Sequence, residues 1–296
     1  MSRILVSGLV NVETTCRIES FPIDYQPIDY AFFGVNMAVS GVGYNVAKAM
    51  TSLEDEVTIT SMAGNDEVYE LVEKRLEKIG VDAKIQTTLK QTPTSAVLYD
   101  NEGKRRIYCD LKDIQEQQYN YEDINLKQYD LAVVCNINFS RPLLKKAKEA
   151  GIKICSDVHV LSDIHDEYNE DFMKYSDILF LSNEAVIGKE KELIKKLADT
   201  YQNEIIVMGC GSAGAKMYVR ADDKIYECES AKPEKIVNTV GAGYALFSAF
   251  ISMYARGKEP LECLRLAQKF AAHKIGFDGA AQGFMTLKEL TNQNVI

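Results

Sequence analysis

The sequence predicts an α/β fold: a central, mostly parallel sheet with helices on both faces and a small β flap. Three observations predict it. Short apolar runs of strand length recur along the chain, segments with helical periodicity lie between them, and two stretches break that alternation. Strands buried on both faces read as continuous apolar runs, which is what a parallel sheet covered by helices requires.

The runs Ile4–Val10, Val57–Ala63, Leu131–Cys135, Ile152–Ser156, Ile178–Leu181 and Ile205–Met208 read as buried strands, each too short for a helix. Asn45–Leu53, Glu67–Ile79, Arg141–Ala150 and Glu190–Tyr201 read as the helices between them. Ser95–Asp100 and Arg105–Asp110 flank the turn Asn101–Gly103 and read as a hairpin. The stretch Asn11–Asn36 is aromatic, contains Pro22 and Pro27 and has no helical period. Both are read as a flap over a site, approximately residues 11–36 and 94–110; an ordinary surface hairpin is the plainer alternative. The last third turns helical at Gly241–Arg256 and Leu261–Ile275. With no repeats and no linker rich in Gly, Ser or Pro, residues 1–296 read as one domain.

A formal charge of −9 argues against nucleic acid as a main partner, because neutralising phosphates needs a basic surface. No apolar run reaches the roughly 18 residues of a membrane span. The opening segment MSRILVSGLV does not read as a secretory signal. The 7 cysteines have no C-x-x-C spacing, and most lie in apolar runs, so they read as small buried hydrophobes in a reducing cytoplasm. His159, His165 and His273 lack metal-ligand spacing and read as solvated or capping residues.

Gly241-Ala242-Gly243 precedes a helix whose apolar stripe is Ala245, Leu246, Ala249, Phe250 and Met253. A helix start leaves backbone N–H groups without partners, and glycine lets a ligand come close. Together with the helix dipole these features make an anion site; tight helix packing is the competing account.

The wider segment Asn238-Thr239-Val240-Gly241-Ala242-Gly243-Tyr244 resembles the D-T-x-G-A-G-D motif of the ribokinase (PfkB) family of carbohydrate and nucleoside kinases. The resemblance runs in order over the whole chain. It implies a ribokinase-like fold, ATP with Mg2+, a sugar or nucleoside acceptor phosphorylated on a primary hydroxyl, and a homodimer through the lid. It implies that the amides of Gly241, Ala242 and Gly243 form the anion hole, with Thr239 on the nucleotide side. Tyr244 then stands at the base position and Asn238 in place of the leading aspartate. A phenol of pKa about 10 offers a base in only roughly one molecule in a thousand at pH 7. Gly211 and Gly214 match a loop that lies against the nucleotide phosphates. Asn183 matches N-x-x-E, but Val186 stands at its glutamate, which weakens the expected Mg2+ site. On the substrate side Gly41, Gly43 and Asn45 match G-G-x-G-x-N, and Glu13 matches the carboxylate of N-x-D. Asp66 and Asp157 also fall at family positions, Asp66 with a turn as the alternative, Asp157 as a carboxylate able to replace the missing base. Two functions follow: a kinase slowed by Tyr244, or a non-catalytic nucleotide or sugar binder that senses or scaffolds.

Overall fold

The computed structural model describes residues 1–292. In chain order the strands are β1 (Arg3–Ser7), β2 (Asn11–Arg17), β3 (Val35–Ser40), β4 (Glu56–Gly64), β5 (Asp82–Leu89), β6 (Thr94–Tyr99) and β7 (Arg105–Asp110), followed by β8 (Leu131–Val134), β9 (Lys153–Val160), β10 (Ile178–Ser182), β11 (Ile205–Gly209), β12 (Ala215–Val219) and β13 (Lys224–Cys228). The helices are α1 (Val42–Ser52), α2 (Glu67–Ile79), α3 (Arg141–Glu149), α4 (Glu170–Tyr175), α5 (Glu190–Thr200), α6 (Ala242–Ala255), α7 (Pro260–Lys274) and α8 (Leu287–Thr291).

Nine strands form one sheet in the order β13-β12-β11-β10-β9-β8-β1-β4-β5. It is parallel from β11 to β5, and β12 and β13 close one edge antiparallel. Alternation along β1 divides the core between the two faces. Ile4 and Val6 join the cluster that includes α1, α6 and α7, and Leu5 joins the cluster under α3, α4 and α5. A second sheet, β3-β2-β6-β7, forms the flap. No helix among the described residues is long and apolar enough to cross a membrane.

Two sequence expectations are corrected here. The run Ile4–Val10 is not one strand. The ladder ends as the Gly8 amide donates to Thr60 O at 3.2 Å, and the Val10 amide turns to the Ser61 hydroxyl at 3.2 Å. Gly8 is pinned at the turn, since a Cβ there would lie 2.9 Å from Gly43 Cα and 2.5 Å from Cys135 Sγ. Nor is α6 amphipathic: every residue from Ala245 to Met253 is buried. It runs between α1 and α7, and Phe247 and Phe250 meet Phe180 edge-on with centroids 5.0 and 5.2 Å away. A helix buried all round loses its polar stripe.

Candidate active site

The candidate residues Asp157, Asn183 and Gly211 lie at or just past the carboxyl ends of β9, β10 and β11, where open parallel sheets hold their ligands. A cleft of about 650 Å³ opens between the flap and two loops, residues 236–240 and 278–282. Glu13, Thr15, Asn36 and Arg105 line it from the flap, and Asn238 and Thr239 from the opposite wall.

The mouth of α6 follows directly on Val240 of that wall. Gly241 has φ +85°, and a Cβ on it would lie 2.2 Å from the Ala280 carbonyl oxygen. This position requires glycine for both reasons. The Ala242 amide donates to Thr239 O at 3.2 Å. The amides of Gly241, Gly243 and Tyr244 have no partner among the described residues. Of the three amides expected in an anion hole, that of Ala242 is therefore satisfied within its own turn, while the Tyr244 amide is free. Gly243 is exposed, with open space where its Cβ would be.

Beneath the mouth, Lys274 is wholly buried and its ammonium donates to the Val240 carbonyl. Burial pulls its pKa down to about 8, against the opposing pull of Asp278. Sequence reading passed over this lysine, since nothing in the α7 pattern marks it. The Asn238 side-chain oxygen accepts from the Val240 amide at 2.8 Å, and its Nδ2 donates to Asp278 Oδ1 at 3.0 Å. The negative charge absent from position 238 thus stands next door.

Tyr244 projects from the first turn of α6. Burial comes first, then the negative charges of Asp157 and Glu13, in holding its phenol well above the ordinary range, so it stays protonated. His159 lies against it edge-on, with ring centroids 5.7 Å apart. The expectation of a solvated or capping histidine holds only in part, since the half-buried side chain packs on an aromatic ring. His159 Nδ1 is 3.4 Å from Asp157 Oδ2, and its backbone N–H donates to Asp157 Oδ1 at 2.9 Å. Burial pulls the imidazole pKa down, but the Asp157 charge outweighs it, and the net shift is upward. Burial likewise raises Asp157, and His159 outweighs it to hold the carboxyl below its usual value.

After β10, where the sequence expects nucleotide contact, Asn183 Nδ2 donates to Glu190 Oε1 at 3.1 Å, and the Gly188 amide donates to the same oxygen at 3.1 Å. These bonds hold the Glu190 carboxyl at about 2, and Lys216 Nζ lies 3.7 Å from its other oxygen. Glu190 brings to Asn183 the carboxylate that Val186 cannot, from seven residues along. Gly211 and Gly214 belong to one turn, in which the Cys210 amide donates to Gly214 O at 2.8 Å. Gly214 is buried, and a Cβ on it would lie 2.0 Å from Cys228 O, so only Gly211 faces outward.

On the flap side, burial raises the Glu13 carboxyl, with Arg105 opposing. Asn11 and Asn45 are 4 % and 2 % exposed, and the Oδ1 of each has no hydrogen-bond partner. Asn45 lies inside α1, so it is not a helix cap. Gly41 and Gly43 are explained by packing, since Cβ atoms there would lie 2.5 Å from Leu9 O and 2.5 Å from Gly8 C and O respectively. Asp66 caps α2, accepting from the Tyr69 amide at 3.0 Å and from the Thr92 hydroxyl at 2.6 Å. That is the turn reading of Asp66.

The sequence pattern of the pfkB family carbohydrate kinases matches residues 1–286. The chain belongs to the PfkB family. Solved structures of the same fold include a microbiome-derived acarbose kinase (TM-score 0.89, 21% identity, 98% of this chain and 97% of that one). Arabidopsis thaliana ribokinase complexed with ribose and ATP aligns with TM-score 0.81 at 18% identity over 98% and 97% of the two chains. A Methanocaldococcus jannaschii nucleoside kinase aligns with TM-score 0.79 at 17% identity over 98% and 97%. At such identities these likenesses concern the fold, which is ribokinase-like. Against the PfkB motif, this chain departs at Asn238, Val186 and Tyr244, and at each departure another acidic side chain lies close by: Asp278, Glu190 and Asp157.

Proposed function

We propose that this chain is an ATP-dependent kinase of a sugar or nucleoside, transferring the γ-phosphoryl group to a primary hydroxyl. The observation that carries the reading is the set of three unpartnered amides at the α6 mouth, directly after Thr239 and Val240, which line a cleft whose other side presents Glu13. Backbone N–H groups at a helix N-terminus, free of side chains, suit a phosphoryl group in transit. The orphan oxygens of Asn11 and Asn45 support a polyhydroxyl acceptor, since buried acceptors without partners call for donors. The acarbose, ribose and nucleoside named for the structural neighbours belong to that class.

Among the described residues no three His, Cys, Asp or Glu side chains cluster as a metal cage. Mg2+ in nucleotide sites relies mainly on phosphate oxygens and water, so one carboxylate suffices. Glu190, oriented by Asn183, is the group that would face it, shared with Lys216. When bound, the ion neutralises charge on the phosphates.

The flap's outer face carries Val35, Met37 and Tyr108, which are 57%, 64% and 49% exposed. This supports a homodimer through the lid, to be checked by sedimentation equilibrium of the native protein beside Met37→Lys. The free cysteines fit the cytoplasm as its place of work.

One observation favours a second reading, a non-catalytic nucleotide or sugar binder: the Tyr244 phenol is held protonated and cannot serve as base. Loss of a general base costs about 10²- to 10⁴-fold in rate. The test is ATP affinity by calorimetry together with ADP release against pentoses, hexoses and nucleosides, with Glu13→Gln as control. The kinase reading expects ATP binding and turnover, with KM raised in the control. ATP binding without turnover supports the second reading, and no ATP binding overturns both.

A further inference from the structure

We propose that His159, oriented by Asp157, is the general base of this kinase and replaces the missing aspartate of position 244. The inference rests on the kinase reading above and supplies the step that reading lacks.

The backbone aims His159 on purpose. β9 pairs with β10 through Phe180↔Asp157 and then Ser182↔Val160, so two steps on β10 face three on β9. The extra residue is a β-bulge, a device that re-aims a side chain at the end of a strand. His159 sits within it at φ +58°, in the left-handed region. Such a conformation costs free energy and persists where the surroundings demand it. The result is an imidazole against Tyr244, the residue at the family's base position.

The chemistry of the pair matches the task. Asp157 lies beside Nδ1, which fixes the proton of the neutral ring there and leaves the Nε2 lone pair available. Nε2 has no partner among the described residues, and the side chain keeps 34% of its accessibility. The titratable groups around the pair are Tyr244 from α6, in contact with His159, and Cys135 after β8, which feels the Asp157 charge; Glu13 and Arg105 from the flap act on Tyr244 behind them. Of these, the Tyr244 phenol stays protonated, and burial pushes the Cys135 thiol up to about 12.

The step balances without a further reagent. The acceptor's O–H bond breaks and its proton passes to His159 Nε2. The hydroxyl oxygen forms the new bond to the γ-phosphorus. The bond from that phosphorus to the bridging oxygen breaks, and its electron pair leaves with ADP. Asp157 is a positioning residue: its charge stabilises the imidazolium that results.

The experiment uses the full chain with ATP and the acceptor that gives turnover in the panel. His159→Gln is expected to lower kcat by about 10²- to 10⁴-fold while ATP affinity stays within about twofold. The native kcat/KM should fall on the acid side with an apparent pKa above 6.5, and Asp157→Asn should move that limb to lower pH. A histidine NMR titration reads the same pair without turnover: the His159 imidazole, assigned by its loss in His159→Gln, should titrate above 6.5 and drop in Asp157→Asn. Turnover unchanged in His159→Gln, an acid limb indifferent to Asp157→Asn, or native ATP binding with no turnover on any acceptor would each overturn the assignment. Absence of ATP binding in the native protein would instead remove the kinase reading beneath it.

Discussion

The imidazole of His159 meets the ring of Tyr244 edge to face across 5.7 Å, joining the end of β9 to the first turn of α6. A phenol stands at the motif position of the family's aspartate, and the histidine of a histidine–aspartate pair is packed against it. What Tyr244 contributes through its ring can be separated from what it contributes through its hydroxyl.

The Tyr244 hydroxyl has no hydrogen-bond partner among the described residues. Tyr244→Phe is therefore expected to change stability by less than about 0.5 kcal/mol, as for a substitution that removes no named interaction. Restoring the family residue is different. Tyr244→Asp sets a carboxylate among Asp157 and Glu13 and is expected to cost about 1–3 kcal/mol, read as a lower denaturation midpoint.

Gly243 separates stability from function. It lies in α6 with nothing within 4 Å of a Cβ, so alanine fits the helix and should stabilise it by about 0.5–1 kcal/mol. The same methyl group would stand where a phosphoryl oxygen approaches. Gly243→Ala is expected to melt higher yet bind ATP at least about tenfold more weakly; equal ATP affinity would move the anion site elsewhere.

How much was readable follows from particular residues. Glu67–Ile79 is bounded as expected because Asp66 caps it and Gly80 ends it at φ +75°. The edge strands β5 and β13 are not legible, because Asp82–Leu89 is mostly exposed, Lys224–Cys228 has no fully buried residue, and both carry too few apolar residues to signal burial. In the site, Gly241–Gly243 was legible because glycine spacing at a helix start is a local pattern. His159 was not, since its placement depends on the register between β9 and β10, which no local window contains. Glu190 was hidden for another reason: it meets Asn183 across a turn, seven residues on, outside the N-x-x-E spacing.

Far from the cleft, Asp55 is buried against Arg256, with Oδ1 to Nη1 at 2.6 Å and a further bond from the Ser252 hydroxyl. Removing one partner of such a pair leaves a charge without compensation. Arg256→Met is expected to cost about 3–5 kcal/mol in chemical denaturation, with nucleotide affinity of the folded protein unchanged.

The Asp157–His159 pair also sets a pH window for stability. His159 has a folded value above 6.5, so its contribution is full below 6.5 and is lost as pH rises through the folded value. Asp157 has a folded value below 3.8, so its contribution is full above 3.8 and is lost as pH falls through the folded value. The gap in melting temperature between the native protein and Asp157→Asn should be widest between 3.8 and 6.5 and narrow on either side. Inside that window the gap should correspond to about 1–3 kcal/mol.

The amine of Lys274 carries one more consequence. A cation held 0% exposed beneath the α6 mouth is out of reach of dissolved counter-ions, unlike the surface lysines that usually gather phosphate. Its pull on a bound anion should therefore survive concentrated electrolyte, and the grip on a nucleotide's terminal phosphate should weaken with added sodium chloride far less than attraction to an exposed basic patch would.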